Sequence, residues 1–207
     1  MMKAPVVRSS SMLINCLLFI TFFCSFQNDK LPLSFGLQLS SAALDLTRQE
    51  VNYDPSYFKI SYPNGDVPAD KGVCTDVVIR TYRKLNIDLQ ELVHRDMLAN
   101  FKDYPKLWSL KSPDPNIDHR RVPNLMTFFS RKGTVIPITT NAADYFPGDI
   151  VCWNLGGAIT HIGLVVNRTS VEGSRPLIVH NIGQGQVLED MLFDYKIIGH
   201  YRFTGRS

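Results

Sequence analysis

Apolar positions change period once along this chain. From Cys74 they fall at Val77, Val78, Thr81, Tyr82 and Leu85, while Arg80, Arg83 and Lys84 lie mostly opposite. Those offsets predict one face of an amphipathic helix. Val77 and Val78 are β-branched, so burial rather than intrinsic propensity must hold that helix. Asp88 followed by Glu91 reads as an N-cap with its reciprocal partner, opening a second helix whose stripe is Leu89, Leu92, Val93 and Met97. A third short helix is predicted from Pro123, suited to a first helical position, to near Gly133. Upstream, Leu44, Leu46, Val51 and Tyr57 give a weaker helical pattern over 43–57, followed by a turn-rich loop over 60–68. Residues 104–122, with Pro105, Pro113 and Pro115, form an irregular connector. Beyond it the period shortens to that of strands. Segments 149–153, 161–167, 176–182 and 197–203 are rich in Val, Ile and aromatic residues and are separated by turn residues. Helices first and strands second predict an α+β fold, with an antiparallel sheet packed against the Cys74 helix.

Length and charge narrow the picture. A chain of 207 residues fits one domain plus a targeting segment, and 44% hydrophobic with 20% charged content suits a globular core. A net charge of +3, with no basic run, excludes a nucleic-acid partner. The N-terminus reads as an export signal: Lys3 and Arg8 precede an uncharged apolar run over 12–26 that is short for a membrane span. Small residues at Ser34-Phe35-Gly36 and Ser40-Ser41-Ala42 offer two cleavage sites. The expected organisation is a signal peptide or N-terminal anchor over 1–36, its boundary between 26 and 42, and a domain over 43–207. Neither Cys16 nor Cys24 sits in a lipobox. The protein is thus expected to be exported, periplasmic or in the cell envelope, monomeric, and to touch a membrane only through an uncleaved N-terminal segment.

Removing the leader leaves Cys74 and Cys152. These two could form one disulfide in an oxidising compartment. The alternative reading of Cys74 is chemical. A helix start offers unpaired N–H groups and a partial positive charge, which favour a thiolate and can face a developing oxyanion. His161 opens one strand-like run and can serve as base, and either His180 or Asn181 at the end of the next can orient it. Cys and His spacings match no zinc signature, so neither metal nor cofactor is expected. The cluster Asp118-His119-Arg120-Arg121 falls in a proline-flanked loop. Surface salt bridges are its commoner explanation, and recognition of a substrate carboxylate the functional one. Trp108 and Trp153 are expected to be packing residues.

The phrases Pro147-Gly148-Asp149-Ile150-Val151, Thr160-His161-Ile162-Gly163-Leu164-Val165 and Leu177-Ile178-Val179-His180 resemble the NlpC-type branch of the papain-like cysteine peptidases. That resemblance implies a papain-like fold with Cys74 as nucleophile, His161 as general base and His180 as its orienting residue. It also implies an oxyanion-lining role for Tyr62, whose alternative is packing in a turn. Tyr62-Pro63-Asn64-Gly65-Asp66-Val67-Pro68, Gly72-Val73-Cys74-Thr75-Asp76-Val77, 116–124 and Val179-His180-Asn181-Ile182-Gly183 resemble the narrower YijF-like family, exported bacterial proteins with a domain of unknown function. Two departures from the wall-cleaving relatives stand out. Val73-Cys74-Thr75-Asp76 replaces their Asp-Cys-Ser-Gly, and the interval from His161 to His180 is longer. The function expected is an exported thiol hydrolase of amide bonds, with a peptide or peptidoglycan-like substrate. The alternatives are a non-catalytic envelope-binding module, or a thiol acyltransferase or esterase.

Overall fold

The computed structural model describes residues 1–2 and 34–205. The export-signal features over 3–33, with Cys16 and Cys24, lie outside the described residues. No helix among the described residues is long and apolar enough to cross a membrane.

The first helix, α1 (Phe35–Leu46), replaces the expected helix over 43–57. Its start is capped by Ser34, whose side chain accepts the Leu37 N–H at 3.4 Å. Leu39, Ala43 and Leu46 lie at helical spacing and are buried. These residues form a stripe that patterning alone places partly in the leader. After α1 the chain is extended: β1 (Asn52–Tyr53) pairs in parallel with β2 (Lys71–Gly72), with Tyr53 opposite Gly72.

The chain then enters α2 (Cys74–Arg83), where Cys74 to Tyr82 are all buried. Its N-cap, Val73, carries no side-chain acceptor. The end is closed from the other side instead, by the Asp76 carboxylate accepting the Val73 N–H at 2.7 Å. In α3 (Leu89–Asn100) Asp88 is the N-cap as expected, accepting from Gln90 N–H. Glu91 does not reciprocate, because it pairs with Arg95 one turn on. The helix α4 (Val122–Lys132) carries proline in its first turn and ends at Gly133.

One six-stranded antiparallel sheet holds the remaining strands: β3 (Thr134–Val135), β4 (Ile150–Gly156), β5 (Ile159–Thr169), β6 (Pro176–His180), β7 (Val187–Glu189) and β8 (Lys196–Arg202). Their spatial order is β3-β8-β4-β5-β6-β7. The fold is α+β, as the change of period predicts. Alternation along the strands separates two cores. Ile150, Cys152, Ile162, Leu164 and Val179 pack with residues of all four helices, among them Val78, Met97 and Phe129. Val151, Trp153, Val165 and Ile178 pack against Tyr145, Met191 and Leu192. Tyr82 crosses the larger core to donate its hydroxyl to the Phe203 carbonyl at 2.8 Å, tying α2 to the end of the sheet.

Two close approaches fix the layers. Gly148, at φ +90°, lies where an added Cβ would come within 2.5 Å of Gly36 Cα, so α1 rests directly on the turn before β4. A Cβ on Gly163 would come within 2.7 Å of Ile178 and 3.1 Å of the His180 Cβ. Only glycine lets β5 and β6 carry their histidines this close.

Candidate active site

Cys74 is the first residue of α2 and is 7% exposed. Nearby backbone N–H groups of Ile162, Thr75 and Cys74 itself favour its thiolate. Burial outweighs them and, with the Asp76 carboxylate nearby, pushes the thiol up to about 12. The resting side chain is therefore a protonated thiol. Cys152 lies behind it, paired across the sheet with Ile162, and both cysteines are free. Burial also raises the Cys152 thiol.

His161 precedes the Ile162 amide near the sulfur, and Thr160 lines a cleft together with Cys74. Thiol and imidazole thus both lie near the start of β5, but Cys74 packs into the helix-side core and forms no hydrogen bond with the His161 ring. The His161 ring leaves the strand beside Trp153, at 5.9 Å between centroids, and is 3% exposed. His161 Nε2 lies 3.0 Å from His180 Nδ1. His180 Nε2 in turn lies 3.0 Å from a Glu189 carboxylate oxygen. Donor and acceptor roles are set from the carboxylate end. An ionised Glu189 accepts, so His180 Nε2–H donates and its Nδ1 carries the lone pair. That lone pair accepts from His161 Nε2–H, which leaves His161 Nδ1 as a bare acceptor. Burial, reinforced by the His180 ring, holds His161 down to about 3, and burial likewise lowers His180. His161 is therefore a neutral imidazole at ordinary pH.

The cleft over Cys74 holds about 410 Å³ and is walled by Tyr53, Tyr57, Trp108 and Arg121. This volume falls within the range of small-ligand sites. Tyr53 is the tyrosine beside the thiol: burial, then the neighbouring Cys74, raises its phenol. Tyr62 lies elsewhere, edge-on to His94 at 5.1 Å between centroids, so the oxyanion-lining role implied for it has no counterpart here. Asn181 bonds to neither histidine ring. Its amide donates to the Gly72 carbonyl at 3.2 Å and its oxygen accepts Gly183 N–H, fixing the strand that leads into Cys74. Glu189 stands at the far end of the series His161–His180–Glu189. The sequence signal for it is the Gly183–Gly185 turn, which folds Val187-Leu188-Glu189 back along β6.

The 118–121 cluster is neither a surface loop nor a single functional unit. Asp118, His119 and Arg120 form a buried 3-10 turn. His119 does not line the cleft. Burial, then the charges of Arg120 and Arg83, hold it down to about 3. Arg120 grips Asp76 through two bonds of 2.9 and 3.0 Å, with both side chains almost fully buried. It also donates to the carbonyls of Ser56 and Asp54, and so clamps the segment carrying the cleft tyrosines onto the start of α2. This clamp answers the negative charge that Asp76 brings to the helix start. Arg121 faces the cleft, its guanidinium 4.3 Å from the centroid of the Trp108 ring. Trp108 is 54% exposed and belongs to the cleft wall rather than to the core, contrary to expectation. Trp153 is a packing residue, with its indole N–H donated to the Leu192 carbonyl.

Residues 40–203 match the family described as "Domain of unknown function (DUF1287)". The chain belongs to this family. It is also 51% identical over 166 residues to "Uncharacterized protein YijF" of Escherichia coli (strain K12), across 78% of this chain and 80% of that protein. Family membership therefore bears out the resemblance to YijF-like proteins, and the shared region takes in Cys74, His161, His180 and Glu189. No activity comes with it.

Proposed function

We propose that this protein is an exported thiol hydrolase of amide bonds, with peptides of the cell wall as substrate class, built on a papain-like scaffold of the NlpC type. The observation that carries the reading is the conjunction of a helix-start thiol in an open cleft with the buried relay His161–His180–Glu189 at the same strand end. The N-terminal pattern of Lys3, Arg8 and the apolar run over 12–26 supports export.

In this reading Cys74 Sγ attacks the amide carbonyl carbon while its proton passes to His161 Nδ1. With a thiol raised by burial and a base held neutral, proton transfer accompanies attack rather than preceding it. The backbone N–H groups near the sulfur would meet the developing oxyanion, where one donor is typically worth about 3 kcal/mol. The tetrahedral intermediate expels the amine, which takes its proton from His161. Water then hydrolyses the thioester with the same imidazole as base. His180 holds the productive tautomer, and Glu189 holds His180.

The test is to incubate the purified mature protein, and its Cys74→Ser variant, with cell-wall fragments and compare the products by mass spectrometry. New amide-cleavage fragments in the wild type only are expected. Identical spectra for the two proteins would sink the proposal and favour a binding module on the same scaffold.

A further inference from the structure

Arginines in this protein are almost all paired. Among the described residues, Arg48, Arg80, Arg83, Arg95, Arg120, Arg131, Arg175 and Arg202 each hold a carboxylate within ion-pair distance. Arg168 lies exposed and donates to its neighbour's carbonyl. Arg121 differs from both kinds. It is partly buried and lines the Cys74 cleft, yet no carboxylate and no carbonyl accepts from it. One of its terminal nitrogens is buried with no hydrogen-bond partner.

Asp118 and Asp114 act on Arg121 through their charge, but neither bonds to it. Asp114 accepts from the Asn116 backbone and side chain and from the Tyr57 hydroxyl. Asp118 faces His94 and accepts the Asp114 N–H through one oxygen, while its other oxygen is buried without a partner. The Trp108 ring beneath Arg121 holds it in place. Trp108 itself sits at φ +57°, a left-handed backbone conformation that bulky residues rarely adopt. A guanidinium held over an aromatic face can still form two parallel bonds along one edge, which is the geometry that recognises a carboxylate. Leaving such a group half-desolvated and unpaired is costly unless a ligand completes it.

We propose that Arg121, seated on Trp108, is the specificity residue of the Cys74 cleft and selects ligands bearing a free carboxylate, so that the substrates are acidic peptides or peptides with a free C-terminus. This rests on the reading of the cleft as the reaction site. It predicts which amides enter, and it deepens that reading without depending on turnover for its test.

Binding is measured by titration calorimetry on the Cys74→Ser protein, with N-acetylalanine, N-acetylalaninamide and inorganic phosphate as probes. The acid is expected to bind roughly ten-fold or more tightly than the amide, as a charge-assisted bidentate contact gives. Arg121→Gln should abolish the difference between acid and amide, and Arg121→Lys should keep a part of it. Equal affinity for acid and amide, no binding of the acid up to about 50 mM, or a preference that survives in Arg121→Gln would each overturn the proposal. Phosphate binding tighter than the acid would overturn the assignment to carboxylates. Since the protein tested lacks the thiol, a failed wall digestion and a failed acid preference are separate results.

Discussion

Replacing Arg120 with Met keeps a long side chain but removes the charge that Asp76 needs. Asp76 is 3% exposed and would retain one bond, from the Val73 N–H, while two carbonyls in the segment over 54–56 lose their donor. Removing one partner of a buried ion pair costs about 3–5 kcal/mol, because the surviving charge is left uncompensated. In a domain of this size each kcal/mol moves the midpoint by about 2–4 °C, so Tm should fall by roughly 6–20 °C. Urea denaturation gives the free energy directly. The decisive comparison is the double variant Arg120→Met with Asp76→Asn. Its neutral amide oxygen still accepts the Val73 N–H, and the buried charge is gone. It should be more stable than Arg120→Met alone, by about 1–3 kcal/mol of coupling. A loss below about 1 kcal/mol for Arg120→Met, or a double variant no better than the single, would refute the view that Arg120 neutralises Asp76.

Acid should unfold the domain through its buried imidazoles. His161 and His119 are held at about 3, below the ordinary 6.5, so the stability they contribute is present above pH 6.5 and is lost as pH falls from there toward 3. Each shift corresponds to roughly 4–5 kcal/mol at its limit; His119→Gln should move the acid midpoint, followed by circular dichroism, to lower pH, and an unchanged midpoint would count against this. Gly163→Ala should cost about 1–3 kcal/mol in urea titrations, because the new methyl meets Ile178 and the His180 Cβ, and a neutral result would mean β5 and β6 are free to separate. Glu189→Gln should slow iodoacetamide alkylation of Cys74 at neutral pH by about 100-fold. The amide can donate to His180 Nε2, which reverses the relay and puts a proton on His161 Nδ1, and a rate equal to wild type would break the tautomer argument.

Sequence periodicity carried the fold a long way. The stripe from Val77 to Leu85, the Asp88 cap and the four strand segments all correspond to observed elements, because each buries one face against the rest. The failures have local causes. α1 was obscured because the expected signal boundary, between 26 and 42, falls across it, and periodicity cannot mark where an export signal would stop and a core begin. Tyr53 was missed because two-residue strands such as β1 leave no pattern, and only the pairing with Gly72 brings it beside the thiol. Within the candidate site, Cys74 and both histidines were legible from residue type and order. Glu189 was not, because its role depends on strand register. Arg120 and Arg121 show the limit most sharply: adjacent, chemically alike and both bordering the cleft, one is sealed against Asp76 and the other has no carboxylate partner.

The seating of α1 sets a boundary on maturation. Ser40 is buried, and its hydroxyl accepts the Asn167 N–H at 2.7 Å, while the Leu46 carbonyl accepts from the Gln186 side chain. Cleavage after Ala42 would strip Leu39 and Ser40 out of the folded domain and leave the far end of β5 without its cap. Cleavage after Gly36 would remove the Ser34 cap and the glycine that rests on Gly148. Were the expected export signal removed, a chain that keeps this architecture would begin at Ser34 or earlier, which sequencing of its N-terminus would read out.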